Sequence, residues 1–116
     1  MKVGCCLLLL TFSAHAGVIE DINIEVNHTR TYGKYHKRLD QSVYLHKGDV
    51  GACGDFAFTK QAELAKHGIS SVLGACYLQN GSPHAFLIAI DPATRQRVVL
   101  DNRSDKILRF AEVGCE

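Results

Sequence analysis

The spacing of apolar residues changes along this chain, and each change marks an element. Ile19, Ile22, Val26 and Thr29 recur at steps of three and four, which predicts an amphipathic helix over residues 18–31, closed before Gly33. Residues 28–47 set Arg30, Lys34, Lys37, Arg38 and Lys47 against Asp40 alone, with Tyr32, Tyr35 and Tyr44 between them. That stretch reads as a solvated helix-and-loop surface, able to form one wall of a groove. Gly48, Gly51 and Gly54 then mark a tight turn. From Cys53 the chain reads as a second helix. Asp55 stands in its first turn, Lys66 and His67 in its last, and Gly68 is its C-terminal cap. Phe56, Ala57, Leu64 and Ala65 make its apolar face. Phe58 and Ala62 lie off that face, so burial on more than one side is expected.

Three apolar runs follow, over residues 70–79, 84–90 and 97–101, separated by turns at 80–83 and 91–96. Connections this short predict antiparallel neighbours. The run 84–90 is apolar on both faces and is expected to be central. Residues 107–113 add a short strand or a tail. The expected class is α+β, with a helix packed on an antiparallel sheet of three or more strands.

The N-terminus has its own pattern. Lys2, the apolar run from Val3 to Phe12 and the small residues Ala14 and Ala16 have the three-part order of a signal peptide over residues 1–16. The run is too short for a membrane-spanning helix, which needs about 20 residues. Residues 17–116 are then one domain, exported to the periplasm or secreted. The formal charge is +1, and loss of Lys2 would bring it to zero. Charge therefore does not point to nucleic acid or a membrane as partner. Residues 17–116 contain Cys53, Cys76 and Cys115, an odd number for an oxidising compartment. A Cys76–Cys115 disulfide would leave Cys53 free, but the sequence does not fix the pairing.

Cys53 lies after a glycine-rich turn and opens a helix. Free N–H groups and partial positive charge at a helix start stabilise a thiolate, and the same N–H groups can hold an oxyanion. His84 opens one predicted strand and Asp101 closes the next. A turn at 91–96 sets Ile90 opposite Arg97, hence His84 opposite Arg103 and Phe86 opposite Asp101. His84 and Asp101 then share a face as diagonal neighbours at one end of the sheet. A register slip of one residue would separate them. Asp101 would orient the imidazole that serves Cys53 as base and ion-pair partner. Zinc is the rival chemistry, but the chain has no C-x-x-C and no close histidine pair. His28, His36, His46 and His67 are scattered through polar stretches and are expected to be exposed.

Gly51-Ala52-Cys53-Gly54-Asp55-Phe56-Ala57, followed by Lys60, Leu64 and Gly68-Ile69, resembles the nucleophile helix of bacterial transglutaminase-like cysteine peptidases. His84-Ala85-Phe86-Leu87 and Val99-Leu100-Asp101-Asn102 resemble that family's histidine and aspartate strands, and Val26-Asn27 its upstream Val-Asn pair. The resemblance spans residues 20–102. It implies a papain-like α+β fold, with Cys53 as nucleophile, His84 as base and Asp101 as orienter. It also offers Asn27 as a second oxyanion donor. Family members that clip a surface adhesin carry acidic residues on both sides of the nucleophile, and these help bind calcium. Here the positions are Ala52 and Gly54, so no calcium site of that kind and no other cofactor is expected. The upstream tryptophan is missing too, and the adhesin substrate is not carried over. The expected activity is hydrolysis of a peptide or side-chain amide through an acyl-thioester. A transglutaminase, a non-catalytic binding or secretion-accessory module on the same fold, and a redox or disulfide-linked structural protein are the alternatives.

Overall fold

The computed structural model describes residues 17–35 and 37–116. The signal-peptide segment 1–16 and His36 lie outside the described residues. Helix α1 covers residues 17–29. A small parallel pair, β1 (Thr31–Tyr32) and β2 (Val50–Gly51), leads into helix α2 (Cys53–Ala65). Four strands complete the chain: β3 (Ser71–Tyr77), β4 (Pro83–Ile90), β5 (Arg97–Asp101) and β6 (Ser104–Leu108). They form one antiparallel meander in that order, so β4 is central, as its two apolar faces predict.

Leu87 and Ala89 of β4 and Leu100 of β5 face the helices and meet Ile19 of α1 and Ala57 and Leu64 of α2. Leu64, Leu87 and Leu100 are wholly buried; each such side chain contributes about 1.5–3 kcal/mol by leaving water. The opposite face packs Phe86 and Val99 against Val113 of the C-terminal segment. Both faces of the middle strands are thus covered.

Helix α2 has the predicted glycine cap, but Lys66 and His67 lie just past its end and not in its last turn. Gly68 has φ +72°, and the Ile69 N–H returns to the Leu64 carbonyl at 3.1 Å. A residue with a Cβ would be strained there. Burial of α2 is wider than one stripe and includes Asp55, Thr59 and Lys60 as well as Phe56 and Leu64.

Two sequence expectations need correction. Residues 28–47 are only partly a solvated surface. Arg30 is 7% exposed and donates to the Leu45 carbonyl at 2.9 Å. The Leu45 N–H donates to Thr59 Oγ1 of α2 at 2.8 Å. The segment is thereby fastened to both helices. The last strand also begins earlier than residue 107. Asn102 and Arg103 turn the chain, with Asp101 opposite Ser104, and residues 110–112 form a 3-10 turn instead of strand.

Cys76 and Cys115 are disulfide-bonded, and Cys53 is free. The bond fastens the C-terminal segment to β3, beside the backbone bridge between Leu78 and Cys115. Replacing Cys76 and Cys115 by Ser should lower unfolding free energy by about 2–4 kcal/mol in a denaturant titration. An unchanged midpoint would show that the bond does not hold that segment.

Candidate active site

Cys53 is the first residue of α2, preceded by Ala52 in extended conformation. Its N–H lies in the first turn, where no intrahelical acceptor exists. The thiol is half-buried, and Sγ accepts the Ala85 N–H at 3.3 Å. Helix α2 therefore touches the sheet where β4 begins, one residue beyond His84.

The β4–β5 register is the one the turn length predicts, from Ile90 opposite Arg97 to Leu87 opposite Leu100. It sets His84 and Asp101 on one face. His84 Nε2 lies 2.9 Å from Asp101 Oδ2, which leaves Nδ1 for the thiol. His84 is 7% exposed, and the Asp101 carboxylate has no exposure. Burial opposes ionisation of Asp101, but hydrogen bonds from His84 and from the Arg103 side chain and N–H hold its pKa well below the usual carboxylate range. Burial likewise disfavours the imidazolium, yet Asp101 and the Cys53 thiolate raise the His84 pKa above its ordinary value. Burial pushes the Cys53 thiol up, and hydrogen bonds from His84 and the Ala85 N–H outweigh it, so its pKa lies below that of a free cysteine. The three groups favour a thiolate–imidazolium pair backed by a carboxylate.

Arg103 belongs to this constellation and was assigned no role from the sequence. It grips Asp101 with its side chain, at 3.1 Å from Nε and 2.7 Å from Nη2, and adds its own N–H at 2.9 Å. Nη2 also donates to the Val113 carbonyl at 2.8 Å. The predicted pairing already set residue 103 opposite His84. What it lacked was the tight turn that swings the guanidinium back onto Asp101.

Asn27 is not available as an oxyanion donor. Its amide hydrogens go to the carbonyls of Asp101 (3.1 Å) and Ser104 (3.0 Å). Asn23, one turn earlier, donates to the carbonyls of Ser104 (2.9 Å) and Asp105 (3.2 Å) and accepts from the buried Lys60 ammonium at 2.8 Å. Burial lowers the Lys60 pKa to about 7. Helix α1 thus clamps the hairpin that carries Asp101, a positioning role in place of the predicted one.

A cleft of about 340 Å³ opens over the thiol. Tyr35, Lys37, Leu39 and Ser42 form one wall, Ala75, Tyr77 and Pro83 the other, and Cys53, His84 and Ala85 the floor. The volume lies within the usual range for ligand sites. Tyr35 and Tyr77 keep large exposed areas at its edges. Among the described residues, no three His, Cys, Asp or Glu side chains cluster to hold a metal ion.

The family model described as bacterial transglutaminase-like cysteine proteinase matches residues 10–115. The chain belongs to that family. Solved structures with a similar fold include LapG of Legionella pneumophila, at TM-score 0.62 and 20% identity, covering 86% of this chain and 60% of that one. An EGTA-treated form of LapG matches at TM-score 0.57 and 20% identity, over 84% of this chain and 57% of that one. A calcium-bound form matches at 0.54 and 20% identity, over 81% and 57%. The chain therefore spans less than two thirds of the LapG chains it matches. No curated protein sequence matches it.

The geometry predicts a pH signature. Cys53 should be alkylated by iodoacetamide at a pH below the range of an ordinary cysteine thiol, which ionises near ~8.5. In His84→Ala the profile should move up towards that range, because the cation that stabilises the thiolate is gone. Arg103→Ala should move it part of the way. Identical profiles in wild type and His84→Ala would rule out the coupling.

Proposed function

We propose that this chain is an exported cysteine peptidase or amidase that works through an acyl-thioester on Cys53. The observation that carries the reading is one end of one cleft, where a free thiol at a helix start meets a buried His84–Asp101 pair. In the first step the Cys53 thiolate attacks the substrate carbonyl. The oxyanion is held by helix-start N–H groups, that of Cys53 first. His84 gives its proton to the leaving amine, and the C–N bond breaks. In the second step His84 takes a proton from water, whose oxygen attacks the thioester carbonyl. The acid leaves with Cys53 as its leaving group, and the thiolate–imidazolium pair is restored. Asp101 keeps the ring oriented and its charged form favourable throughout. An amine in place of water would make the same site a transglutaminase, so access to the acyl-enzyme separates those outcomes.

The largely apolar walls, with Leu39, Ala75 and Pro83, and the tyrosines at the cleft edges suit an extended protein or peptide segment. Nothing in the charge balance calls for nucleic acid. No helix among the described residues is long and apolar enough to cross a membrane. Export is supported by the order of charge, apolar run and small residues over 1–16, and by the Cys76–Cys115 disulfide, a bond typical of oxidising compartments. A calcium requirement is not part of this proposal. Ala52 and Gly54 put no side-chain oxygen beside Cys53. Calcium asks for 6–8 oxygen ligands.

Profiling with a peptide library should give cleavage by the wild type and none by Cys53→Ala. Asp101→Asn should lose at least about 100-fold in kcat, since an amide cannot stabilise the imidazolium. Equal turnover by Cys53→Ala would end the peptidase reading. Tight substrate binding without turnover in the wild type would favour a binding module on this fold.

A further inference from the structure

The Asp55 carboxylate is wholly buried two residues beyond the proposed nucleophile. Each of its oxygens accepts twice. Oδ1 takes the Lys37 ammonium at 2.9 Å and the Val43 N–H at 2.9 Å. Oδ2 takes the same ammonium at 3.0 Å and the Ala52 N–H at 2.9 Å. A carboxylate offers about four acceptor positions, and all are filled. Lys37 is the only cation paired with Asp55 among the described residues, and it stands in the cleft wall with its side chain 22% exposed. The ammonium therefore joins the wall segment 37–43 to the first turn of the nucleophile helix.

Gly54 explains how the wall comes so close. A Cβ there would lie 2.7 Å from Ser42 Oγ and 3.5 Å from Leu39 Cδ1. A side chain long enough to carry a metal-binding oxygen would push that wall away. Ala52 offers no donor. A divalent cation at Asp55 would have to displace Lys37 and find its other ligands elsewhere.

We propose that Lys37 is a built-in cation for this site: its ammonium neutralises Asp55 and fixes the nucleophile helix to the cleft wall, making assembly of the site independent of calcium. Lys37 and Asp55 are positioning residues that act through the placement of Cys53. The inference rests on the peptidase reading only where it concerns catalysis.

The test reads Tm and the rate of Cys53 alkylation, with either millimolar calcium or EGTA. Wild type should give the same values in both. Lys37→Met leaves a buried carboxylate without its cation. Its Tm should fall by roughly 5–15 °C, and Cys53 alkylation should slow several-fold. Lys37→Arg should recover most of both. If Lys37→Met does not fold, the double variant Lys37→Met/Asp55→Asn, which removes the stranded charge, should fold and be more stable than the single one. A calcium-dependent rise in wild-type Tm would overturn the proposal. So would a Lys37→Met protein with wild-type Tm and alkylation rate, or a double variant no more stable than the single one. Wild-type Cys53 alkylated no faster than a free thiol would count against the peptidase reading, and the thermal comparisons would still decide the role of Lys37.

Discussion

Asp101 has no contact with solvent, so every hydrogen bond its carboxylate loses to burial has to be supplied by the protein. An unpaired charge in that position would cost several kcal/mol. Two groups meet the demand on the side chain. His84 comes from the neighbouring strand, and Arg103 comes from two residues along the same hairpin. Asn27 takes the main-chain carbonyl from behind. The partners bring their own requirements. Arg103 also needs the Val113 carbonyl, which reaches it on a segment bonded to β3 through Cys76 and Cys115. The aspartate bonded to His84 is thus held by one helix, one hairpin and the C-terminal segment.

Asp55 presents the same problem a short distance away, with a different solution. Its donors come from the loop that forms the cleft wall and from Ala52, the residue before Cys53. One buried carboxylate shapes the His84 side of the site and the other shapes the Cys53 side. Cys53 joins them through the Ala85 N–H on its sulfur. Electrostatics and architecture coincide here: removing either acid would leave a local set of N–H groups or cations without their acceptor.

Much of this was legible in the chain. The β4–β5 register follows from the six residues between Ile90 and Arg97, and the pairing of His84 with Asp101 follows from the register. The end of α2 was legible because Gly68 does what only glycine does cheaply. Other features were not. Asn27 matched a family pair, yet its amide is turned to the Asp101 hairpin, a distinction set by the packing of α1. Arg30 and Lys37 looked like members of a solvated basic stretch. Their partners, the Leu45 carbonyl and Asp55, lie 15 and 18 residues away. No local pattern marks a pair that forms only when a loop folds back.

The sequence by itself determined the two helices, the antiparallel order of β3, β4 and β5, the face shared by His84 and Asp101, and the place of Cys53 at a helix start. These depend on periodicity and on short connections, which are local. The tertiary structure decided which polar groups are buried and what answers them: Lys37 for Asp55, Arg103 for Asp101, Asn23 for Lys60, and Cys76 for Cys115. Those choices depend on distances across the fold and on the cost of dehydrating a charge, and neither is written in any one segment of the chain.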